Sequence, residues 1–163
     1  MAAKLSQSDD ARARRRLGTS IKDSLRALTV ELSLLNHNVG GHLGLRDVDL
    51  DCLDLIDRHG PLSPSALARL AALHPATMTG ILDRLERGDW ISRDRDPADR
   101  RAVLVSSRRD RGAEIYAQYA TMNASMDELI AAYDAGQLTA ILDFLQRTVS
   151  NGKAANERFG DPT

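Results

Sequence analysis

Between Ser92 and Arg111 the chain gathers seven arginines against four aspartates. The densest part reads RDRDPADRR, from Arg93 to Arg101. Four more arginines, Arg12, Arg14, Arg15 and Arg16, stand near the N-terminus. Other stretches are acidic: Leu45–His59 holds five aspartates against two arginines, and Gly112–Gln146 holds five acids and no lysine or arginine. The net charge of −1 therefore hides a separation. A localised basic patch is the footprint of a polyanion partner even when the whole chain is near neutral. The chemistry on offer is charge recognition; a solvated charged loop is the plainer alternative.

Residues that make and break bonds are thinly spread. There is no glycine-rich phosphate loop and no nucleophile elbow. Cys52 is the one cysteine. It falls on an apolar helical stripe and reads first as a buried thiol, with a redox sensor as the alternative. His37 and His42 are five apart across glycines, and His59 and His74 flank other elements, so no metal-ligand spacing emerges. The expectation is a binding protein, not an enzyme, with no metal and no cofactor.

At 163 residues, 42% of them apolar, the chain can build one core, and with only 4% aromatics that core is aliphatic. No apolar run suits a membrane span, and the N-terminus lacks the apolar stretch of a signal peptide. The lone cysteine excludes an internal disulfide; the expected location is the cytoplasm.

The elements that position the charges follow from periodicity. Residues 1–18 are polar, without a repeat, and read as a mobile basic arm. Ile21, Leu25, Leu28, Leu32, Leu35 and Val39 recur at 4-3-4-3-4, the seam of a packing helix, with Gly40-Gly41 as its stop. A second helix is expected over Leu45–His59, with Leu45, Val48, Cys52, Leu55 and Ile56 inward and Gly60-Pro61 at its end. Ser63 before Pro64 is an N-cap signal for a short helix to Leu70. The break ALHP then gives way to a helix from Pro75 that turns Met78, Ile81, Leu82 and Leu85 inward and closes at Gly88. Two short helices joined by a tight turn form a helix-turn-helix. Trp90–Arg93 and Ala102–Ser106 read as strands of a hairpin with a charged tip. Ser106 or Ser107 would cap a long helix carrying Ile115, Tyr119, Met122, Met126, Leu129 and Tyr133, broken at Gly136. Leu138, Ile141, Leu142, Leu145 and Val149 mark a last helix, followed by a frayed tail.

The fold class is thus mainly α with a small β-hairpin wing: a winged helix-turn-helix flanked by long N- and C-terminal dimerisation helices. In segments, a mobile arm spans 1–18, an N-terminal dimerisation helix 19–44, the DNA-binding region 45–108, C-terminal dimerisation helices 109–150 and a tail 151–163. With the apolar face inward, the second short helix presents Ala76, Thr77, Gly80, Asp83, Arg84 and Arg87, with Thr79 at the edge. Small residues let it approach base edges in the major groove, and the threonines offer hydroxyls or methyls there. Arg84 and Arg87 suit phosphates, as do Arg93 and Arg95 on the hairpin. At the tip, arginine suits the narrow, electronegative minor groove, and Asp99 can fix the direction of an arginine beside it.

From about Ile21 to Ser150 the chain resembles the MarR family of bacterial transcription regulators. The matching stretches are LSPSALARLAALHPATMTGILDRLERGDWISR and DPADRRAVLV. The family's wing signature, aspartate–any residue–arginine, falls on Asp99 and Arg101, with Arg100 between them. The resemblance implies a homodimer on a pseudo-palindromic double-stranded DNA operator, Arg101 entering the minor groove and Asp99 orienting it. It further implies a repressor released by a small aromatic or phenolic effector, for which His37, His42, Tyr116 and Tyr119 are candidates; heptad packing explains the tyrosines equally well. Two departures stand out. VSSRRDRG replaces the family's usual start of the long helix, leaving Arg108, Arg109 and Arg111 either as phosphate contacts or as solvated charges. The cysteine of the peroxide-sensing branch is missing. An architectural DNA-binding protein and a helical protein-interaction module are the alternative readings, and no membrane partner is expected.

Overall fold

The computed structural model describes residues 2–97, 99 and 101–160. The chain divides into two compact units, Met1–Leu50 and Asp51–Thr163.

The first unit is dominated by α1, Ala2–Leu43. Of the mobile arm expected at 1–18, residues 2–18 are helical. No proline or glycine interrupts residues 2–17, half of which are Ala or Arg. Extending an existing helix through good formers adds a hydrogen bond for each residue fixed. Gly40-Gly41 does not stop α1 either. The stop is Gly44, whose φ of +71° is the left-handed turn that ends a helix. Leu45 N–H then reaches back to Gly40 C=O at 2.8 Å. That closure brings the chain so near that a Cβ on Gly40 would lie 2.8 Å from the Leu45 carbonyl oxygen. The glycine inside the helix serves close approach; the one after it serves the turn. Helix α2, Asp47–His59, starts two residues later than expected. Buried Asp49 fixes that start by accepting the Arg46 backbone N–H at 3.2 Å.

The second unit holds the core. Cys52, Leu53 and Ile56 of α2 are buried with Leu67 and Ala68 of α3 (Pro64–Leu70) and with Met78, Ile81, Leu82 and Leu85 of α4 (Pro75–Arg87). Leu53, not Leu55, joins Cys52 and Ile56 there; Leu55 is half-buried. Strands β1, Ile91–Arg95, and β2, Val103–Ser107, form an antiparallel hairpin that pairs Ile91 with Ser107 and Arg95 with Val103. Each begins one residue later than expected. Trp90, Ile91 and Val105 fasten the hairpin to the core, and Val105 also pairs with Leu62 ahead of α3.

The long helix expected after the hairpin is two helices, α5 (Arg109–Gln118) and α6 (Ala120–Ala131), parted at Tyr119. Neither Ser106 nor Ser107 caps α5. Arg108 holds the cap position without a side-chain bond, while Ser107 hydroxyl donates to the Asp57 carboxylate from its place in β2. The next break falls at Ala132–Asp134, ahead of Gly136, which lies in the first turn of α7, Ala135–Gly160. Asp134 and Gln137 set it reciprocally: Gln137 N–H donates to Asp134 Oδ1 at 2.9 Å and Asp134 N–H to Gln137 Oε1 at 3.0 Å. This capping box outweighs a glycine tolerated one residue into the helix. The tail expected to fray after Ser150 continues α7 to Gly160.

Candidate nucleic-acid interface

The helix-turn-helix is assembled by its caps. Ser63 Oγ accepts Ala66 N–H at 3.2 Å, with Pro64 opening α3 as its sequence position predicts. The turn into α4 uses Ala72 in the left-handed region (φ 52°), closed by Leu73 N–H to Ala68 C=O at 2.9 Å. His74 caps α4: its Nδ1 accepts Ala76 N–H at 3.2 Å, and Pro75 follows at the first position. The HP pair in ALHP is therefore a cap–proline start in the same style as Ser63-Pro64. Histidine is an uncommon cap, so only the break was legible.

With Met78, Ile81, Leu82 and Leu85 at or near zero exposure, the helix register is fixed, and Ala76, Thr77 and Thr79 are exposed at the N-terminal end. Gly80 is half-buried. Thr79 Oγ1 donates to Pro75 C=O at 3.1 Å, which turns its hydroxyl back along the helix; Thr77, two positions earlier, lies on the opposite flank of the exposed face. Arg84 donates from Nη1 to Gly80 C=O at 3.1 Å, and Arg87 from Nε to Asp83 C=O at 3.0 Å. Both guanidiniums thus lie along α4, Arg84 half-buried and Arg87 exposed. The terminal backbone N–H groups of α4 add their partial positive charge at the end where Ala76 and Thr77 stand.

On the hairpin, Arg95 and Arg101 are exposed. Asp99 Oδ1 accepts the backbone N–H of Arg101 at 3.0 Å, and its C=O accepts Ala102 N–H at 2.9 Å. Asp96 N–H closes the tip on Ala102 C=O at 3.0 Å. Asp99 therefore shapes the turn that presents Arg101, through the Arg101 backbone. Arg100 lies outside the described residues. Arg93 is placed differently from its phosphate assignment: it ion-pairs with Asp83 and Glu86 of α4. The basic start of α5 is also engaged. Arg108 pairs with Asp89 at 2.8 Å, and Arg111 stacks 3.8 Å over the Trp90 ring while pairing with Glu114 at 2.7 Å. These contacts brace the hairpin base, a role that charge counting alone does not reveal. Arg12, Arg15 and Arg16 share one exposed face of α1.

The effector candidates lie in both units. In the first, His37 is exposed and its Nδ1 lies 3.2 Å from Asp47 Oδ1, while exposed His42 points about 140° further round α1. In the second, Tyr116 is 67% exposed, whereas Tyr119 is half-buried at the α5–α6 junction. Burial, then the carboxylates of Asp51 and Asp54, push the Tyr119 phenol above its ordinary value. It stays a hydrogen-bond donor at neutral pH. Cys52 has no solvent exposure. Among the described residues no cluster of metal-ligating side chains occurs, and no helix is long and apolar enough to cross a membrane.

A family model described as MarR family matches residues 45–103, the segment from the start of α2 into the wing. The uncharacterized HTH-type transcriptional regulator YcgE of Bacillus subtilis is 28% identical over 131 residues, covering 80% of this chain and 81% of that protein. The HTH-type transcriptional repressor NicR of Pseudomonas putida is 29% identical over 97 residues, covering 60% of this chain and 61% of that protein. A solved MarR family protein from Bacillus stearothermophilus superposes with a TM-score of 0.66 at 15% identity, covering 85% of this chain and 97% of that one; the likeness is one of fold.

Proposed function

We propose that the chain is a DNA-binding transcription regulator of the MarR family, whose family model matches residues 45–103, and that it represses transcription as a homodimer, with α4 in the major groove and the Asp99–Arg101 wing tip in the minor groove. The observation that carries this reading is the exposed edge of α4: small and hydroxyl-bearing residues at its N-terminal end, arginines further along, and a fully packed apolar face beneath. That order suits base edges near the helix start and phosphates beyond them. NicR, a repressor by name, supports repression. A protein with this role acts on the chromosome in the cytoplasm and needs no catalytic group. The family's response to small ligands makes an effector part of the reading. The candidates for contact with it are His37, His42, Tyr116 and Tyr119, of which Tyr119 is the half-buried one.

Selection of genomic fragments by the purified protein tests this reading. Recovery of a recurrent, imperfectly palindromic site supports it, and enrichment without any sequence preference overturns it. On that site, Arg101→Ala weakens binding by about 1–3 kcal/mol with the fold intact, the expected loss for a groove contact. Equal affinity of variant and parent in a fluorescence-anisotropy titration would remove Arg101 from the interface. Thr77→Ala changes which bases are preferred, whereas Arg84→Ala weakens all duplexes alike. A matrix of these variants against single-base operator variants reads both; an unaltered preference in Thr77→Ala would mean that α4 meets DNA along another edge.

A further inference from the structure

Arg93 leaves the hairpin from β1, yet its guanidinium turns back onto α4. Nη2 donates to Asp83 Oδ1 at 2.5 Å, and Nε lies 3.2 Å from Glu86 Oε2. The Nε contact is charge proximity without hydrogen-bond alignment, since that buried atom has no aligned acceptor. The Arg93 side chain is only 26% exposed, while Asp83 and Glu86 are about half exposed, at 51% and 47%. The two acids are three residues apart on one side of α4, so a single planar guanidinium spans both.

We propose that Arg93 is a positioning residue that clamps the wing to the recognition helix and so sets specificity; this rests on the DNA-binding reading above. A guanidinium held between two carboxylates is not free to displace counterions from a phosphate. Its work is internal. It fixes the spacing of the two elements that must enter adjacent grooves together. It also offsets two negative charges on the helix that reads DNA. Without it, Asp83 and Glu86 repel the phosphates and the hairpin turns about its base.

The test is a cycle of Arg93→Met, the pair Asp83→Asn with Glu86→Gln, and the triple variant, with Arg93→Lys as a second probe should Arg93→Met not fold. Hydrogen exchange of the hairpin amides is followed first, without DNA. The clamp predicts faster exchange across β1 and β2 in Arg93→Met and in the Asp83→Asn/Glu86→Gln pair, with no further gain in the triple variant. Unchanged exchange overturns the clamp whatever the protein binds. Operator and scrambled duplexes are then titrated over a range of salt. Arg93→Met is expected to lose about tenfold on the operator, less on the scrambled duplex, with the salt slope preserved. In the Asp83→Asn/Glu86→Gln background the same change has little further effect. An equal loss in both backgrounds, with a slope lower by about one, makes Arg93 a phosphate contact and overturns the proposal. Wild-type protein that shows no preference for any duplex overturns the function proposed above instead, and the exchange measurement still decides the clamp.

Discussion

Leu85→Ala lowers the unfolding free energy of the winged unit by about 2–5 kcal/mol. Leu85 has no exposure and sits in the layer with Leu67, Ile81, Leu82 and Val105, all at 1% or less. Truncation removes the transfer free energy of its branched end and leaves a cavity that the neighbours fill only in part. The neighbours come from α3, α4 and β2, so the cavity loosens the helix-turn-helix and the wing together. Denaturant unfolding followed by the Trp90 fluorescence reads this, because Trp90 is buried at the base of the same hairpin. Operator binding falls less than stability while the folded fraction stays high, since Leu85 faces away from the reading edge. A loss under 1 kcal/mol would show that the core collapses around the site and that α4 is not held by this layer.

That core was the most legible part of the sequence. Met78, Ile81, Leu82 and Leu85 repeat at helical spacing, and every one is buried. Ser63-Pro64 marked the start of α3 because oxygen caps and first-turn prolines act locally. Helix ends were harder. The left-handed residue after α3 is Ala72 and the one after α4 is Asp89, where glycine is the usual signal. Those turns are held by closures such as Trp90 N–H to Leu85 C=O at 2.9 Å, which depend on what packs around them. Glycine misled twice, at Gly40-Gly41 and at Gly136, since a helix absorbs a glycine whose neighbours supply the hydrogen bonds.

The charged site divides in the same way. Exposed Ala76, Thr77 and Thr79 follow from the helix register, which apolar spacing determines. The ion pairs of Arg93 could not be read, because Asp83 and Glu86 are ten and seven residues away across a turn. For Arg108 and Arg111 the sequence alone leaves two roles open; in the structure Arg108 pairs with Asp89, and Arg111 with Trp90 and Glu114. A charge run shows that cations are present. Which of them remain for a phosphate depends on folding.

Leu28→Asp is expected to convert the homodimer to a monomer and to lower operator affinity by roughly 10²–10⁴-fold, the gain that a second linked half-site supplies. Leu28 is 42% exposed on α1, in the stripe that also carries Ile21 and Leu32, at 44% and 40%. On α6 and α7, Leu129, Ile130, Leu142, Phe144, Leu145 and Val149 are exposed too. α5 and α6 contain no buried residue at all. Apolar surface on this scale marks an interface with another chain, and a closed twofold is the commonest arrangement. A carboxylate in the α1 seam must be desolvated or drive the copies apart, at a cost of several kcal/mol in a dry contact. Two recognition helices then no longer act together, and half-sites about 10–10.5 base pairs apart lose their advantage over a single one. Ser33→Asp is the control: Ser33 is exposed about 120° round the helix from the seam, so the dimer is expected to survive there. Light scattering at micromolar concentration reads the assembly, and anisotropy on whole and half operators reads the linkage. A wild-type monomer, or a Leu28→Asp dimer as tight as wild type, would place the partner of these helices elsewhere.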